Sequence, residues 1–118
     1  MAYAQELIDE ASSEILSVSH EIFEHPELAY REEFASNLLE QTLQAHGFHV
    51  RKGEGELHTA LRAEHDLRSN GTCFAFIGEY DALPIGHACG HNLIAASGMA
   101  AAIAFDRLIR QFDLPASS

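Results

Sequence analysis

Basic residues are scarce in this sequence: 7 Lys and Arg stand against 18 Asp and Glu, a formal net charge of −11. A surface of that sign repels phosphate backbones and anionic lipid headgroups, so neither nucleic acid nor a membrane is expected as a partner. Cysteine is scarce as well. The two thiols, Cys73 and Cys89, come without a secretory leader, because Met1-Ala2-Tyr3-Ala4-Gln5-Glu6 lacks a basic region, and a structural disulfide is the less favoured use for them. No apolar run approaches the length of a bilayer crossing, and the expected location is the cytoplasm. At 118 residues, 47% of them hydrophobic, the chain has material for one core and no room for a second full domain.

Histidine is the residue in excess, with eight copies. Neutral imidazoles carry protons and bind metals, so a His-rich acidic chain raises the expectation of a divalent-metal site. Most single histidines are nonetheless surface residues.

Hydrophobic periodicity divides the chain. Ile8, Ala11, Ile15, Val18 and Ile22 recur at spacings of three and four and predict a helix over about 4–24, ended by Pro26. A second helix is predicted from about Tyr30, with Glu32 and Glu33 facing its positive end, Phe34, Leu38, Leu39 and Leu43 as its buried stripe, and Gly47 as its C-terminal cap. The period then shortens to two in Phe48-His49-Val50 and again in residues 57–63, across a turn at Gly53-Glu54-Gly55, which predicts two adjacent strands. After a turn at Ser69-Asn70-Gly71, the apolar run 72–78 reads as a central strand covered on both faces. A third helix is expected from near Asn92 to about Phe112, its first half dense in Ala, Ser and Gly so that it can press against a sheet. Residues 114–118 read as a frayed end.

Between the central strand and the third helix lies the segment Glu79-Tyr80-Asp81-Ala82-Leu83-Pro84-Ile85-Gly86-His87-Ala88-Cys89-Gly90-His91-Asn92. A loop running from the C-terminal end of a strand into a helix N-terminus is where open α/β sheets bind ligands. Cys89 and His91 can reach one cation if Gly90 lets the backbone bend, and Glu79 and Asp81 could orient an imidazole or bind metal themselves. By spacing alone three readings stay open: a metal site, a buried small thiol beside a backbone-bonded histidine, and a cysteine nucleophile with a histidine base. His87 has two roles open to it, as part of the site or as a brace for the loop. Cys73 reads as a core thiol.

The strings Tyr80-Asp81-Ala82-Leu83-Pro84 and His87-Ala88-Cys89-Gly90-His91-Asn92-Leu93 resemble the signature of the M20 family of metallopeptidases and amidohydrolases, in particular its aminoacylase and aminobenzoyl-glutamate hydrolase branch. His25-Pro26-Glu27-Leu28 with Glu32-Glu33 is similar to an N-terminal element of the same family. His25 is expected to cap the Pro26 turn.

The resemblance implies an α/β fold: residues 1–118 as the N-terminal portion of an M20-type α/β/α sandwich catalytic domain, incomplete, with about three helices and three strands. It implies Cys89 and His91 as ligands of a divalent metal pair, zinc or manganese, and Asp81 as a catalytic-site residue at the end of the central strand. The implied activity is hydrolysis of amide bonds in N-acyl amino acids or dipeptides. Three helices on three strands would leave a sheet edge and part of a face uncovered, so self-association as a homo-oligomer, or marginal stability, is expected.

Three departures accompany the resemblance. Asn92 stands where many members have Asp, which resembles the aminobenzoyl-glutamate and β-alanyl-dipeptide branch, and its side chain could still cap the helix. Pro84 is followed directly by Ile85, which makes the loop one residue shorter than in the branch it resembles. The family's catalytic glutamates, remaining ligands and dimerisation domain would lie beyond Ser118. Glu79 is a local candidate for the general base, and the isolated chain is expected to be inactive, the alternative being a non-catalytic α/β piece that binds metal weakly or associates with another chain.

Overall fold

Apolar side chains spaced three and four apart need a second surface to cover them, and in this chain three helices cover one another. The computed structural model describes residues 5, 6, 9, 11–65, 72–73, 75–112 and 116–117. Helix α1 spans Ser12–Glu24, α2 Glu33–Ala45 and α3 His91–Phe112. Gln5, Glu6 and Asp9 are also helical, while the predicted stripe residue Ile8 lies outside the described residues. Val18 and Ile22 from α1, Ala35, Leu39 and Leu43 from α2, Phe48, and Ala95, Met99 and Ile103 from α3 make one buried cluster. Ile22 is fully buried, and α3 packs chiefly against α1.

The helix ends follow from local chemistry. Proline disfavours helical geometry in the residue before it, and His25, with ψ at 67°, is where α1 stops. Its Nδ1 lies 2.9 Å from the carbonyl of Glu21, and its ring stacks on Phe34 at 3.8 Å, so it ties α1 to α2. Helix α2 starts at Glu33 rather than near Tyr30 because residues 28–31 form a turn, with the Arg31 N–H bonded to the Leu28 carbonyl and Tyr30 at φ +70°. At its other end Gly47, at φ +88°, donates to Gln44, and Phe48 donates to Leu43, each at 3.0 Å. These two bonds define a Schellman cap, and buried Phe48 and Leu43 supply its apolar contact.

The two predicted adjacent strands are present as β1, His49–Lys52, and β2, Leu61–Glu64, antiparallel with Val50 opposite Ala63. The second begins later than its alternation suggested. A short 3-10 turn at Glu54–Glu56 and a bond from the Ala60 N–H to the Leu57 carbonyl occupy the residues before it.

The predicted central strand is corrected. Among the described residues of the run, only Thr72–Cys73, β3, is strand, paired in parallel with β4 at Ala116–Ser117. Residues 75–78 are extended without a strand partner among the described residues, Phe76 is half-exposed and Ile77 is 86% exposed. An apolar run becomes a covered central strand only when neighbouring strands take up its backbone groups, and β1–β2 forms a separate two-stranded sheet. The pairing of Ala116–Ser117 also corrects the expectation of a wholly frayed end. The predicted turn at 69–71, the side chain of Cys73, and Leu114, Pro115 and Ser118 lie outside the described residues.

The small residues of α3 admit this extended segment and α1, not a sheet face. A Cβ on Gly78 would stand 3.2 Å from the Ala95 Cα, and one on Gly98 would stand 3.3 Å from the Ile77 carbonyl oxygen. The expectation that no stretch is long and apolar enough to cross a membrane fails for α3, whose residues His91–Arg110 have a mean hydropathy of 1.3. Half of that stretch is buried against the rest of the protein, as a core helix is. Asp106 within it is buried and ion-paired with His65 at 2.9 Å and Arg110 at 3.0 Å. The fold is mixed α/β with three helices among the described residues, as expected, but its strands form two small sheets rather than one layer.

Candidate active site

Residues 79–90 have no regular secondary structure beyond a single bridge between Leu83 and Gly86, and the loop is shaped by turns. Leu83 and Gly86 exchange backbone hydrogen bonds at 3.1 and 2.8 Å, with Gly86 at φ +109°. Gly90, at φ +74°, makes the bend between Cys89 and His91 that the alternation of these residues required, and its carbonyl accepts from the N–H groups of Leu93 and Ile94 in the first turn of α3.

The loop delivers His91 onto Asp81. The imidazole Nδ1 stands 2.8 Å from an Asp81 carboxylate oxygen and 3.2 Å from the Asp81 carbonyl oxygen. An ionised carboxylate only accepts, so this contact calls for a proton on Nδ1, and Nε2, on the opposite side of the ring, faces a second carboxylate. Nε2 lies 3.2 Å from the Glu79 carboxylate, which is itself largely exposed. Of the sequence-predicted site residues, Asp81 and His91 are brought into contact, with Glu79 as a third member. Cys89 is an exposed free thiol. Among the described residues no three His, Cys, Asp or Glu side chains converge on one point. His87 does not brace the loop by hydrogen bonds: both its ring nitrogens are buried and unpaired, and its ring lies against Phe23 with centroids 6.4 Å apart.

Asp81 is held from both sides by residues far away in sequence. On one side the Ala82 N–H donates to the Glu27 carbonyl at 2.6 Å, and the Glu27 carboxylate accepts from the N–H groups of Phe34 and Ala35 at 2.8 and 3.0 Å, satisfying the open end of α2. On the other side the Tyr80 hydroxyl donates to the Thr59 carbonyl, and the Thr59 hydroxyl donates to Glu32 at 2.8 Å. Burial, aided by the negative charge of Glu32, pushes the Tyr80 hydroxyl up to about 12 from 10.0. Sequence reasoning missed these anchors. The bonds to Ala82, Tyr80 and Thr59 join residues 21 to 55 positions apart, and no short-range periodicity reports such contacts. The one available signal was the resemblance carried by His25-Pro26-Glu27-Leu28.

Asn92 does not cap α3. It sits inside the first turn, buried, and its Nδ2 donates to the Ser19 hydroxyl at 3.1 Å and the Ser19 carbonyl at 3.4 Å.

No family model matches the chain. It is 39% identical over 122 residues to the Xaa-Arg dipeptidase of Mus musculus, an alignment covering 95% of this chain, and 42% identical over 111 residues to that of Homo sapiens, covering 83%. It is also 29% identical over 113 residues to a p-aminobenzoyl-glutamate hydrolase polypeptide of Escherichia coli (strain K12), covering 80%. These matches take in 28%, 25% and 23% of the three relatives, so the chain spans about a quarter of their length. Along that quarter the two strings around Asp81 and His91 and the element around Glu27 fold onto one another, and with these relatives they place the chain in the M20 family of peptidases and amidohydrolases.

Proposed function

We propose that this chain contributes one wall of the active site of a metal-dependent hydrolase that cleaves amide bonds in dipeptides or N-acyl amino acids. The observation that carries the reading is the Asp81–His91 pair, whose 2.8 Å bond fixes Nδ1 as a donor and turns Nε2 toward Glu79. An imidazole held this way by a carboxylate is the arrangement that makes histidine a better metal ligand. An oxygen and a nitrogen donor 3.2 Å apart suit a shared divalent cation, and Cys89, two residues along the chain, is a softer donor of the kind zinc prefers that does not converge on the pair. The donor set fits zinc or manganese in type and falls short in number. Bound there, such a cation would polarise an amide carbonyl and acidify a water molecule. The chain's own part is to hold the imidazole in one tautomer and one orientation through Asp81. Dipeptides of the Xaa-Arg type, after the names of the mouse and human relatives, are the first substrates to assay.

Zinc titration calorimetry on the 118-residue protein tests the site. Weak binding that disappears in Cys89→Ala with His91→Ala is expected, and binding unchanged in that double variant sinks the assignment. A second reading is a non-catalytic α/β piece that associates with another chain, favoured by the exposure of Ile77, Ile85 and Leu93 and by the absence of a third convergent donor among the described residues. Turnover of a dipeptide or N-acyl amino acid by the purified protein with zinc or manganese added decides for the enzyme. Its absence, together with concentration-dependent self-association in sedimentation, decides for the second.

A further inference from the structure

Glu27 is joined to two distant elements at once, through different atoms. Its carboxylate takes the N–H groups of Phe34 and Ala35, which every helix start leaves open, and neither Glu32 nor any nearer residue caps α2 with a side chain. Its backbone carbonyl takes the Ala82 N–H at 2.6 Å, and Ala82 is buried beside Asp81. The side-chain bonds fix where residue 27 stands relative to α2, and the carbonyl bond carries that position to the loop.

The second anchor starts from the same stretch of chain. Glu32 holds the Thr59 hydroxyl, and the Thr59 carbonyl holds the Tyr80 hydroxyl, so the residues on either side of Asp81 are tied to the segment between α1 and α2. Asp81 in turn bonds His91.

We propose that Glu27 is a positioning residue for the Asp81–His91 pair, acting through the Ala82 N–H and the α2 N-terminus rather than by touching substrate or metal. The inference rests on the hydrolase reading above only for the purpose of the pair; the coupling itself is a property of this chain.

A hydrogen-bonded tautomer responds to displacement of its partner, so the readout is the His91 ring, followed by long-range proton–nitrogen correlation on the 118-residue protein. With the Asp81 carboxylate as acceptor, a protonated Nδ1 on His91 is the expected signal of the unsubstituted protein, whatever Nε2 carries opposite Glu79. Glu27→Ala is expected to abolish the predominance of that form, and Glu27→Gln, which keeps one acceptor oxygen, to retain it in part. Thr42→Ala serves as the control for a merely loosened helix, since the Thr42 hydroxyl bonds the Leu38 carbonyl within α2 and touches neither anchor. The control should leave the tautomer unchanged. If Glu27→Ala fails to fold, Glu27→Gln carries the test, with a smaller change in the same direction.

An unchanged His91 signal in the folded variant, or an equal change in Thr42→Ala, overturns the proposal. Zinc affinity read in parallel should fall roughly tenfold in Glu27→Ala, the usual scale for loosening the partner of a ligand. If the unsubstituted protein binds no zinc, the metal reading fails while the tautomer comparison still decides the role of Glu27.

Discussion

Asn92, in the first turn of α3, donates through one amide nitrogen to both the hydroxyl and the carbonyl of Ser19 on α1, with both residues buried. The Ser19 carbonyl can only accept, so position 92 must supply a donor, and an ionised aspartate supplies none. Asn92→Asp is therefore expected to lose about 2 kcal/mol of stability, the scale of a buried hydrogen bond replaced by a charged acceptor facing another acceptor. Urea unfolding of the two proteins side by side measures it. A variant as stable as the parent would mean that the Ser19 contact contributes nothing.

Tyr80 makes stability depend on alkaline pH. The raised value of about 12 against 10.0 means that the folded state holds the hydroxyl proton more tightly than the unfolded chain does. Below pH 10 both states are protonated and the contribution is complete. Between pH 10 and about 12 the unfolded chain alone loses its proton, so stability falls as pH rises through that window. Tyr80→Phe lacks the proton and should remove this part of the slope while lowering stability at neutral pH, because the Thr59 carbonyl loses its donor. Thermal melts at pH 9 and pH 11 provide the comparison, and identical slopes in the two proteins would contradict the assignment.

The helices and the site loop were legible in the sequence because each depends on neighbours in the chain. Val18 and Ile22, or Leu39 and Leu43, announce a buried face by spacing alone, and Gly47 and Gly90 mark two of the places where φ is positive. The run 72–78 was misread because strand formation is decided by partners, and apolar content says nothing about whether a neighbouring strand is there to pair. Asn92 was misread for a related reason. Helix-capping preference is local, whereas the group that holds this side chain lies 73 residues away. Cys89 and His91 were identifiable as candidates by resemblance, and Glu79 and Asp81 by their place just upstream, but which ring nitrogen each carboxylate faces emerges only from the folded loop.

The tightest core position offers a test of the helix packing. Ile22 is fully buried at the meeting of α1 with the other two helices, and its nearest stripe neighbour, Val18, is also buried. Ile22→Ala should cost about 3 kcal/mol, within the usual range for a large-to-small change in a packed core. Leu16 is 67% exposed on the same helix, so Leu16→Ala should cost less than about 1 kcal/mol. Equal losses at the two sites would mean that α1 buries a different face.

Gly78 and Gly98 make different predictions from almost the same distance. A methyl on Gly78 would meet the Ala95 Cα at 3.2 Å and the Ile94 carbonyl oxygen at 3.3 Å, both backbone atoms of a helix that cannot yield without moving α3. Gly78→Ala gains little in return, because residue 78 lies outside any helix or strand. A loss of about 1–3 kcal/mol is expected, as for other insertions into a packed contact. Gly98→Ala meets the Ile77 carbonyl oxygen at 3.3 Å, but it lies within α3, where alanine is favoured over glycine by about 1 kcal/mol. The obstructing carbonyl belongs to the exposed segment around Ile77, and the helix preference of alanine works against whatever that contact costs. The two terms nearly cancel, and Gly98→Ala should fall within about 1 kcal/mol of the parent. Denaturant midpoints for both variants check the ordering. A larger loss at Gly98 than at Gly78 would show that the segment over α3 is the rigid partner in this contact and the helix the one that adjusts.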